Sequence, residues 1–144
     1  MKRTVVVASG YFDPIHSGHI EYLEKAEALG DYLIVILNND FQARLKKGKS
    51  FMPLKDRLAV VRSLKFVDEV FVSVDNDMSV SKSLEIIKPT IFAKGGDRLS
   101  GEIPEAETCR RLGIKIVDGL GEKIQSSSLL IKNSPPFEVL KKFE

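Results

Sequence analysis

The chain has 144 residues, of which 43% are hydrophobic and 29% charged, and its formal net charge is +2. This size and balance are typical of one globular domain; they exclude a disordered chain, and no apolar run approaches the roughly 20 residues of a membrane span. The small charge gives no reason to expect nucleic acid as a partner, and Cys109, the only cysteine, excludes an internal disulfide. The first apolar segment is too short for a signal-peptide core, so we expect a cytoplasmic protein without a membrane partner.

Apolar runs of strand length alternate with helical patterns along the chain. Five strands are predicted, at residues 4–8, 33–37, 69–74, 90–93 and 115–117. Helices are predicted at residues 18–29, capped by Gly30, at 53–64, at 79–87 and at 104–112, and a last helix begins within 126–128. This alternation predicts an α/β fold in a single domain, a doubly wound parallel sheet of five strands. Such sheets bind ligands beyond the carboxyl ends of their strands, here the loops after Ala8, Leu37 and Ala93.

The only two histidines lie in one tetrapeptide, His16-Ser17-Gly18-His19, between the first strand and the first helix. Gly18 leaves room for a phosphate to approach free backbone N–H groups and the positive end of the helix. The two imidazoles can donate hydrogen bonds to phosphate oxygens. Two alternatives stay open: the histidines only cap and pack the turn, or they bind zinc in a site that carboxylates complete. The clustering favours the phosphate site.

The segment from Gly10 to His19, Gly-Tyr-Phe-Asp-Pro-Ile-His-Ser-Gly-His, is similar to the signature opening of the HxGH nucleotidyltransferase superfamily. Within it the chain resembles the small cytidylyltransferase-like branch, which includes glycerol-3-phosphate cytidylyltransferase and the adenylyltransferase half of ADP-heptose synthase. The matching segments are residues 44–46, 56–58, 67–70, 94–97 and 126–128. The resemblance implies a Rossmann-like nucleotidyltransferase domain over residues 1–132, followed by a tail over residues 133–144.

The resemblance also implies roles for individual residues. His16 and His19 bind the triphosphate and stabilise charge at the attacked α-phosphate, while Lys46 reaches over the phosphates from a flexible loop. Nucleotide contacts are implied for Gly10, Tyr11, Phe12, Gly18, Lys94, Gly95, Gly96, Asp97, Ser126, Ser127 and Ser128. Substrate contacts are implied for Asp13, Asp40 and Arg57. Mg²⁺ is held mainly by the triphosphate, so no protein metal site is expected.

Simpler explanations stay open for three of these segments. Lys46, Lys47 and Lys49 also fit a solvated loop. Residues 94–97 also fit a plain turn, and residues 126–128 an ordinary helix N-cap.

The function implied by the resemblance is transfer of AMP from ATP to a sugar or polyol phosphate, with release of pyrophosphate. Lys65 and Gln125 depart from the cytidylyltransferase pattern, and the Lys-Gly-Gly-Asp segment at 94–97 is closer to the ADP-heptose branch, which favours ATP over CTP. The alternatives are a cytidylyltransferase for glycerol or alcohol phosphates, a coenzyme adenylyltransferase like FAD synthetase, and a non-catalytic nucleotide-binding module. The expected partners are a nucleoside triphosphate, a small phosphorylated substrate and a second copy of the chain in a homodimer.

Overall fold

The computed structural model describes residues 3–95 and 103–120. Its five strands are Val5–Gly10 (β1), Tyr32–Leu37 (β2), Glu69–Val72 (β3), Ile91–Gly95 (β4) and Lys115–Leu120 (β5). All neighbouring strands are parallel, in the order β3-β2-β1-β4-β5. The predicted five-stranded parallel α/β sheet is therefore confirmed. In the described part of the chain, no helix has the length and apolar character to cross a membrane.

Five helices connect or follow these strands: Ser17–Glu27 (α1), Asp40–Lys47 (α2), Leu54–Arg62 (α3), Ser81–Ile87 (α4) and Ala106–Leu112 (α5). Alternate strand residues point to opposite faces of the sheet, and they define two cores. Val6 and Ala8 pack with Leu23 of α1 and Val61 of α3. On the opposite face, Val7 packs in a second core with residues of α4 and α5. The sheet is therefore covered on both faces, as its apolar strands predict.

The order in which the strands are added to the sheet changes direction between β1 and β4. It runs outward from β1 through β2 to β3, and then crosses back to place β4 on the other side of β1. Helix α1 leaves β1 on one face, whereas α4 enters β4 from the other face. The carboxyl ends of β1 and β4 therefore flank the crevice in which folds of this class bind ligands.

Helix α2 is the main difference from the sequence prediction, which treats this segment as a flexible loop. Asn39 caps it: its side chain accepts a hydrogen bond from the Gln42 N–H at 2.8 Å, and Gln42 Oε1 accepts one from the Asn39 N–H at 3.1 Å. Gly48 ends the helix in the left-handed conformation, at φ 82°. The sequence pattern typical of this reciprocal cap is an Asn followed three residues later by Gln. Lys46 therefore lies on the last turn of a helix, which corrects its expected place on a flexible loop.

Gly30 has a different role from the one predicted for it. Helix α1 ends at Glu27 and its C-cap is Ala28, in the right-handed conformation. A Cβ on Gly30 would lie 2.6 Å from the backbone oxygen of Thr4. Glycine is therefore required by close packing against the start of β1, and not by the end of the helix.

Candidate active site

The turn from β1 into α1 begins with two residues that depend on each other. Phe12 has a left-handed backbone, at φ 51°, which is unfavourable for a bulky residue, and its ring is buried. A Cβ on Gly10 would lie 2.9 Å from that ring. The same ring contacts His19 edge-on, with centroids 4.8 Å apart. Gly10 and Phe12 thus form a packed support behind His19.

Both histidines hold the first turn of α1 through their Nδ1 atoms. Nδ1 of His16 accepts a hydrogen bond from the Gly18 N–H at 3.1 Å, and Nδ1 of His19 accepts one from the His16 N–H at 3.0 Å. The two rings stack with centroids 3.8 Å apart. Because each Nδ1 is an acceptor, the proton of each neutral imidazole lies on Nε2, at the ring edge away from these backbone contacts.

The electrostatics of the turn keep both imidazoles neutral at pH 7. Burial lowers the pKa of His16. Burial lowers the pKa of His19 as well, and together with the electrostatic effects of His16, Lys47 and Lys46 it brings that pKa to about 3. The site therefore offers two Nε2–H donors in fixed positions. The structure shows the cap, which uses only the Nδ1 atom of each ring. Binding of phosphate through the Nε2–H groups stays a prediction.

One expectation for this turn needs correction. The backbone N–H of Gly18 is not free to bind a phosphate, because it donates to His16 Nδ1. The N–H groups of His19 and Ile20 both donate to the backbone oxygen of His16. These three N–H groups are therefore engaged within the turn, and the donors that the histidine pair offers to an anion are its Nε2–H groups.

The three lysines at the end of α2 differ in position. Lys46 is exposed, and its Nζ lies 4.5 Å from the centroid of the Tyr11 ring. Lys47 is half-buried, and its Nζ donates to the backbone oxygen of Asp13 at 2.7 Å. Lys49 lies beyond the helix and is exposed. Only Lys46 and Lys47 act on the pKa of His19, so the structure brings these two lysines, and not Lys49, to the histidine pair.

Asp13, Asp40 and Arg57 lie together beneath the site. The buried Asp13 carboxylate accepts hydrogen bonds from the N–H groups of residues 51 and 52. Arg57 is fully buried, pairs with Asp40 Oδ1 at 2.7 Å, and donates to the backbone oxygens of Tyr11, Asn38 and Met52. Burial alone would raise the pKa of Asp40. Hydrogen bonds from Arg57 and from the Leu54 N–H outweigh this effect and hold the pKa of Asp40 below its usual range.

These three charged side chains are therefore engaged with the protein itself. They join the ends of β1 and β2 to the segment that precedes α3, and the geometry gives them a positioning role. Direct contact with a substrate stays a prediction for all three.

A cavity of about 320 Å³ opens at the carboxyl ends of β1, β2 and β4. Its lining joins segments that are far apart in the sequence: Ser9, Tyr11, Asn38, Lys46, Met78, Val80, Lys94, Pro104 and Glu105. The sequence predicts Tyr11, Lys46 and Lys94 among these residues. It misses Ser9 and Asn38, although both lie at strand ends where ligands are expected. It offers no signal for Met78, Val80, Pro104 and Glu105, which come to the cavity through the packing of α4 and α5.

The end of β4 is held close to α1 next to this cavity. A Cβ on Gly95 would lie 3.1 Å from the Tyr22 ring, so glycine permits the approach. The buried hydroxyl of Tyr22 donates to the Ala93 backbone oxygen at 2.5 Å and accepts from the Ser9 N–H at 3.1 Å. The predicted nucleotide-binding residues Lys94 and Gly95 are therefore positioned by this contact. Gly96, Asp97, Ser126, Ser127 and Ser128 lie outside the described residues.

Comparisons with known proteins agree with this geometry. A family model described as cytidylyltransferase-like matches residues 7–134. FAD synthase of Ferroglobus placidus is 43% identical over 110 residues, which are 76% of this chain and 70% of that protein. The bifunctional protein HldE of Hahella chejuensis is 36% identical over 128 residues, which are 88% of this chain and 25% of that protein. The chain thus spans about a quarter of this bifunctional relative.

A solved structure extends the comparison. The lipopolysaccharide core biosynthesis protein from Thermoplasma volcanium is 31% identical and superposes with a TM-score of 0.70. The alignment covers 83% of this chain and 98% of that protein.

Proposed function

This chain belongs to the cytidylyltransferase-like family and is a nucleotidyltransferase, and from that premise we propose that it transfers AMP from Mg-ATP to the phosphate of a sugar or polyol phosphate. Pyrophosphate is the second product. The observation that carries the proposal is the pair of neutral imidazoles, each fixed through Nδ1 and each presenting an Nε2–H donor. Such preorganised donors stabilise the charge that develops in a transition state.

The reaction needs positioning and charge more than a covalent nucleophile. An oxygen of the acceptor phosphate attacks the α-phosphorus of ATP, and the bond from that phosphorus to the oxygen bridging to the β-phosphate breaks. His16 and His19 donate hydrogen bonds to triphosphate oxygens as charge shifts toward the departing pyrophosphate. The acceptor phosphate is already largely ionised near neutral pH, because its second pKa is near 6, so no strong general base is required.

Lys46 supplies a mobile positive charge between the two substrates. Its charge acts on His19, and its Nζ lies over the Tyr11 ring at the cavity. A lysine on the last turn of a helix has a fixed base and a flexible stem, so its ammonium can follow the phosphates as they react.

Magnesium enters this scheme as part of the Mg-ATP substrate. Within the described ranges, no three His, Cys, Asp or Glu side chains are grouped closely enough to hold a metal ion. The nearby Asp13 and Asp40 carboxylates already accept hydrogen bonds from the protein. Triphosphate oxygens and water are suitable ligands for Mg²⁺, which keeps several waters and prefers few protein ligands.

A second candidate acceptor is supported by the comparison with FAD synthase. That relative is matched over 70% of its length, against 25% for the HldE relative. Transfer of AMP to flavin mononucleotide would give FAD by the same chemistry. Flavin mononucleotide carries its phosphate on a ribityl chain and is thus itself a polyol phosphate.

Pyrophosphate release tests the proposal. The purified chain is assayed with magnesium and each of ATP, CTP, GTP and UTP, crossed with sugar 1-phosphates, glycerol 3-phosphate and flavin mononucleotide. We expect release with ATP and one class of acceptor. A preference for CTP would contradict adenylyl transfer and favour the cytidylyltransferase alternative. No release with any pair would favour the non-catalytic module.

The expected homodimer and cytoplasmic location stay predictions. Light scattering of the purified chain checks the oligomeric state, and fractionation of the source cells checks the location.

A further inference from the structure

The cavity contains a carboxylate that the phosphate chemistry does not use. Glu105 is buried, with 3% of its surface exposed. Its Oε2 accepts a hydrogen bond from the Val80 N–H at 2.9 Å, whereas its Oε1 has no hydrogen-bond partner among the described residues. A buried carboxylate oxygen without a donor is uncommon and costly. A ligand that supplies a donor would remove that cost.

A second buried polar group of the same cavity also lacks a hydrogen-bond partner among the described residues. This group is the hydroxyl oxygen of Tyr11. Burial, followed by the negative charge of Glu105, raises the pKa of Tyr11, so the hydroxyl is protonated at neutral pH. The cavity thus offers a carboxylate that only accepts and a phenol that both donates and accepts.

Both groups are separated from the histidines but connected to them through Lys46. The histidines lie at the start of α1, which covers one face of the sheet, whereas Glu105 is the N-cap of α5, which covers the other face. Lys46 acts on His19 and also contacts the Tyr11 ring. An acceptor whose phosphate lies at Lys46 and the histidines can therefore extend its other end into the cavity.

We infer that Glu105 determines acceptor specificity, by accepting through Oε1 a hydrogen bond from a donor group at the end of the acceptor far from its phosphate. This inference rests on the proposed function. The donor is a hydroxyl of a sugar or polyol, or a ring N–H such as the imide of a flavin. The Tyr11 hydroxyl forms a second, weaker contact with the same end. The negative charge of Glu105 also disfavours acceptors that carry an acidic group at this end.

Glu105→Gln is a selective variant because of the contact with Val80. The Val80 N–H needs an acceptor, so the amide oxygen of the glutamine takes the place of Oε2 and its NH₂ takes the place of Oε1. The side chain keeps its shape, but the acceptor facing the ligand becomes a donor. Glu107→Gln is the matched control, since Glu107 lies two residues further on, is exposed and pairs with Arg110.

Calorimetry measures binding of flavin mononucleotide, glycerol 3-phosphate and a set of sugar 1-phosphates to the full chain, with magnesium and a non-hydrolysable ATP analogue present. At least one probe is expected to bind the wild type. Its Kd is expected to rise about tenfold or more in Glu105→Gln, severalfold in Tyr11→Phe and not at all in Glu107→Gln. The Kd of the ATP analogue is expected to stay unchanged in Glu105→Gln and in Glu107→Gln.

Wild-type protein alone gives a second test that does not depend on how the variants fold. N3-methylated flavin mononucleotide and deoxy sugar phosphates lack one donor each, and the analogue of the true acceptor class is expected to bind at least tenfold more weakly than its parent. This comparison also shows whether the hydrogen-bond donor that Glu105 recognises belongs to a flavin or to a sugar.

Three results would overturn the inference: an unchanged acceptor Kd in Glu105→Gln, an equal loss of ATP-analogue affinity, or no binding of any probe to the wild type. Failure of the proposed function looks different, since it appears as absent pyrophosphate release while acceptor binding still depends on Glu105.

Discussion

The histidine turn and the cavity of this chain are built in opposite ways. The turn between β1 and α1 is contiguous in sequence, and its two histidines are held in place: each Nδ1 has a backbone donor, and Phe12, which supports His19, fills the space that Gly10 leaves. The cavity is assembled from separate segments and leaves Tyr11 and Glu105 with unmatched atoms. If the proposed function holds, the groups for phosphate chemistry are preorganised within the protein, whereas the cavity is completed by its ligand.

The largest expected effect is a loss of kcat, and it distinguishes the histidine turn from the cavity. His16→Ala and His19→Ala each remove one Nε2–H donor, so we expect kcat to fall about 10²–10³-fold with little change in the acceptor KM. Each variant also loses a capping acceptor, which costs about 1 kcal/mol of stability. His16→Asn is the control, because Asn is a good N-cap but has no Nε2 donor. Near-normal turnover in His16→Asn would assign the histidine to the helix alone.

Lys46 is the residue that the two regions share, and its removal should therefore affect both. We expect Lys46→Ala to lower kcat and to raise the acceptor KM, each about tenfold, because Lys46 lines the cavity and its ammonium is proposed to act on the phosphates. Lys49→Ala is expected to change neither value, and steady-state kinetics decide. Equal and small effects for the two variants would restore the solvated-loop explanation.

The support behind His19 can be tested by comparing two glycines. Gly10→Ala and Gly30→Ala both introduce a Cβ into occupied space, at 2.9 Å from Phe12 and at 2.6 Å from the Thr4 oxygen. We expect each to lower the free energy of unfolding by about 1–3 kcal/mol in urea titrations. Only Gly10→Ala should also lower kcat, because only its clash is transmitted through Phe12 to His19. Equal losses of kcat in the two variants would show that turnover depends on overall stability, and not on the packing of Phe12 against His19.

The expected effect that is least connected with turnover is a pH dependence of stability that arises in the histidine turn. The folded chain holds the pKa of His19 at about 3, against about 6.5 in the unfolded chain. Below about pH 6.5 the unfolded state binds a proton that the folded state does not, so the free energy of unfolding falls as the pH drops from about 6.5 toward 3. The slope is up to about 1.4 kcal/mol per pH unit.

Urea unfolding at pH 7.5, 6.0 and 5.0 measures this slope in the wild type and in His19→Asn. The slope should be smaller in the variant, because asparagine does not titrate. The same slope in both proteins would place the origin of the pH dependence elsewhere.

Much of the fold was predictable because its signals are local. Apolar runs such as residues 33–37 identify buried parallel strands, and Gly113 marks the end of α5 through its left-handed conformation at φ 71°. Helix α2 was missed although Asn39 and Gln42 form a recognisable cap, since a lysine-rich segment resembles a loop in composition. Gly30 was assigned to a helix end because a sequence does not reveal that Thr4 passes 2.6 Å from its missing Cβ.

The sequence by itself determined the family, and it predicted the histidine pair and Lys46 as site residues, because these residues form short segments of fixed spacing. Only the tertiary structure decided which atoms are in use: it committed both Nδ1 atoms and the Gly18 N–H to the helix cap, and it enclosed Arg57 beneath the site. Only the packing of α4 and α5 placed Glu105 in the same cavity as Tyr11. The physical reason is that the partners and burial of a polar atom depend on residues distant in sequence, such as Val80 for Glu105, and no local pattern encodes them.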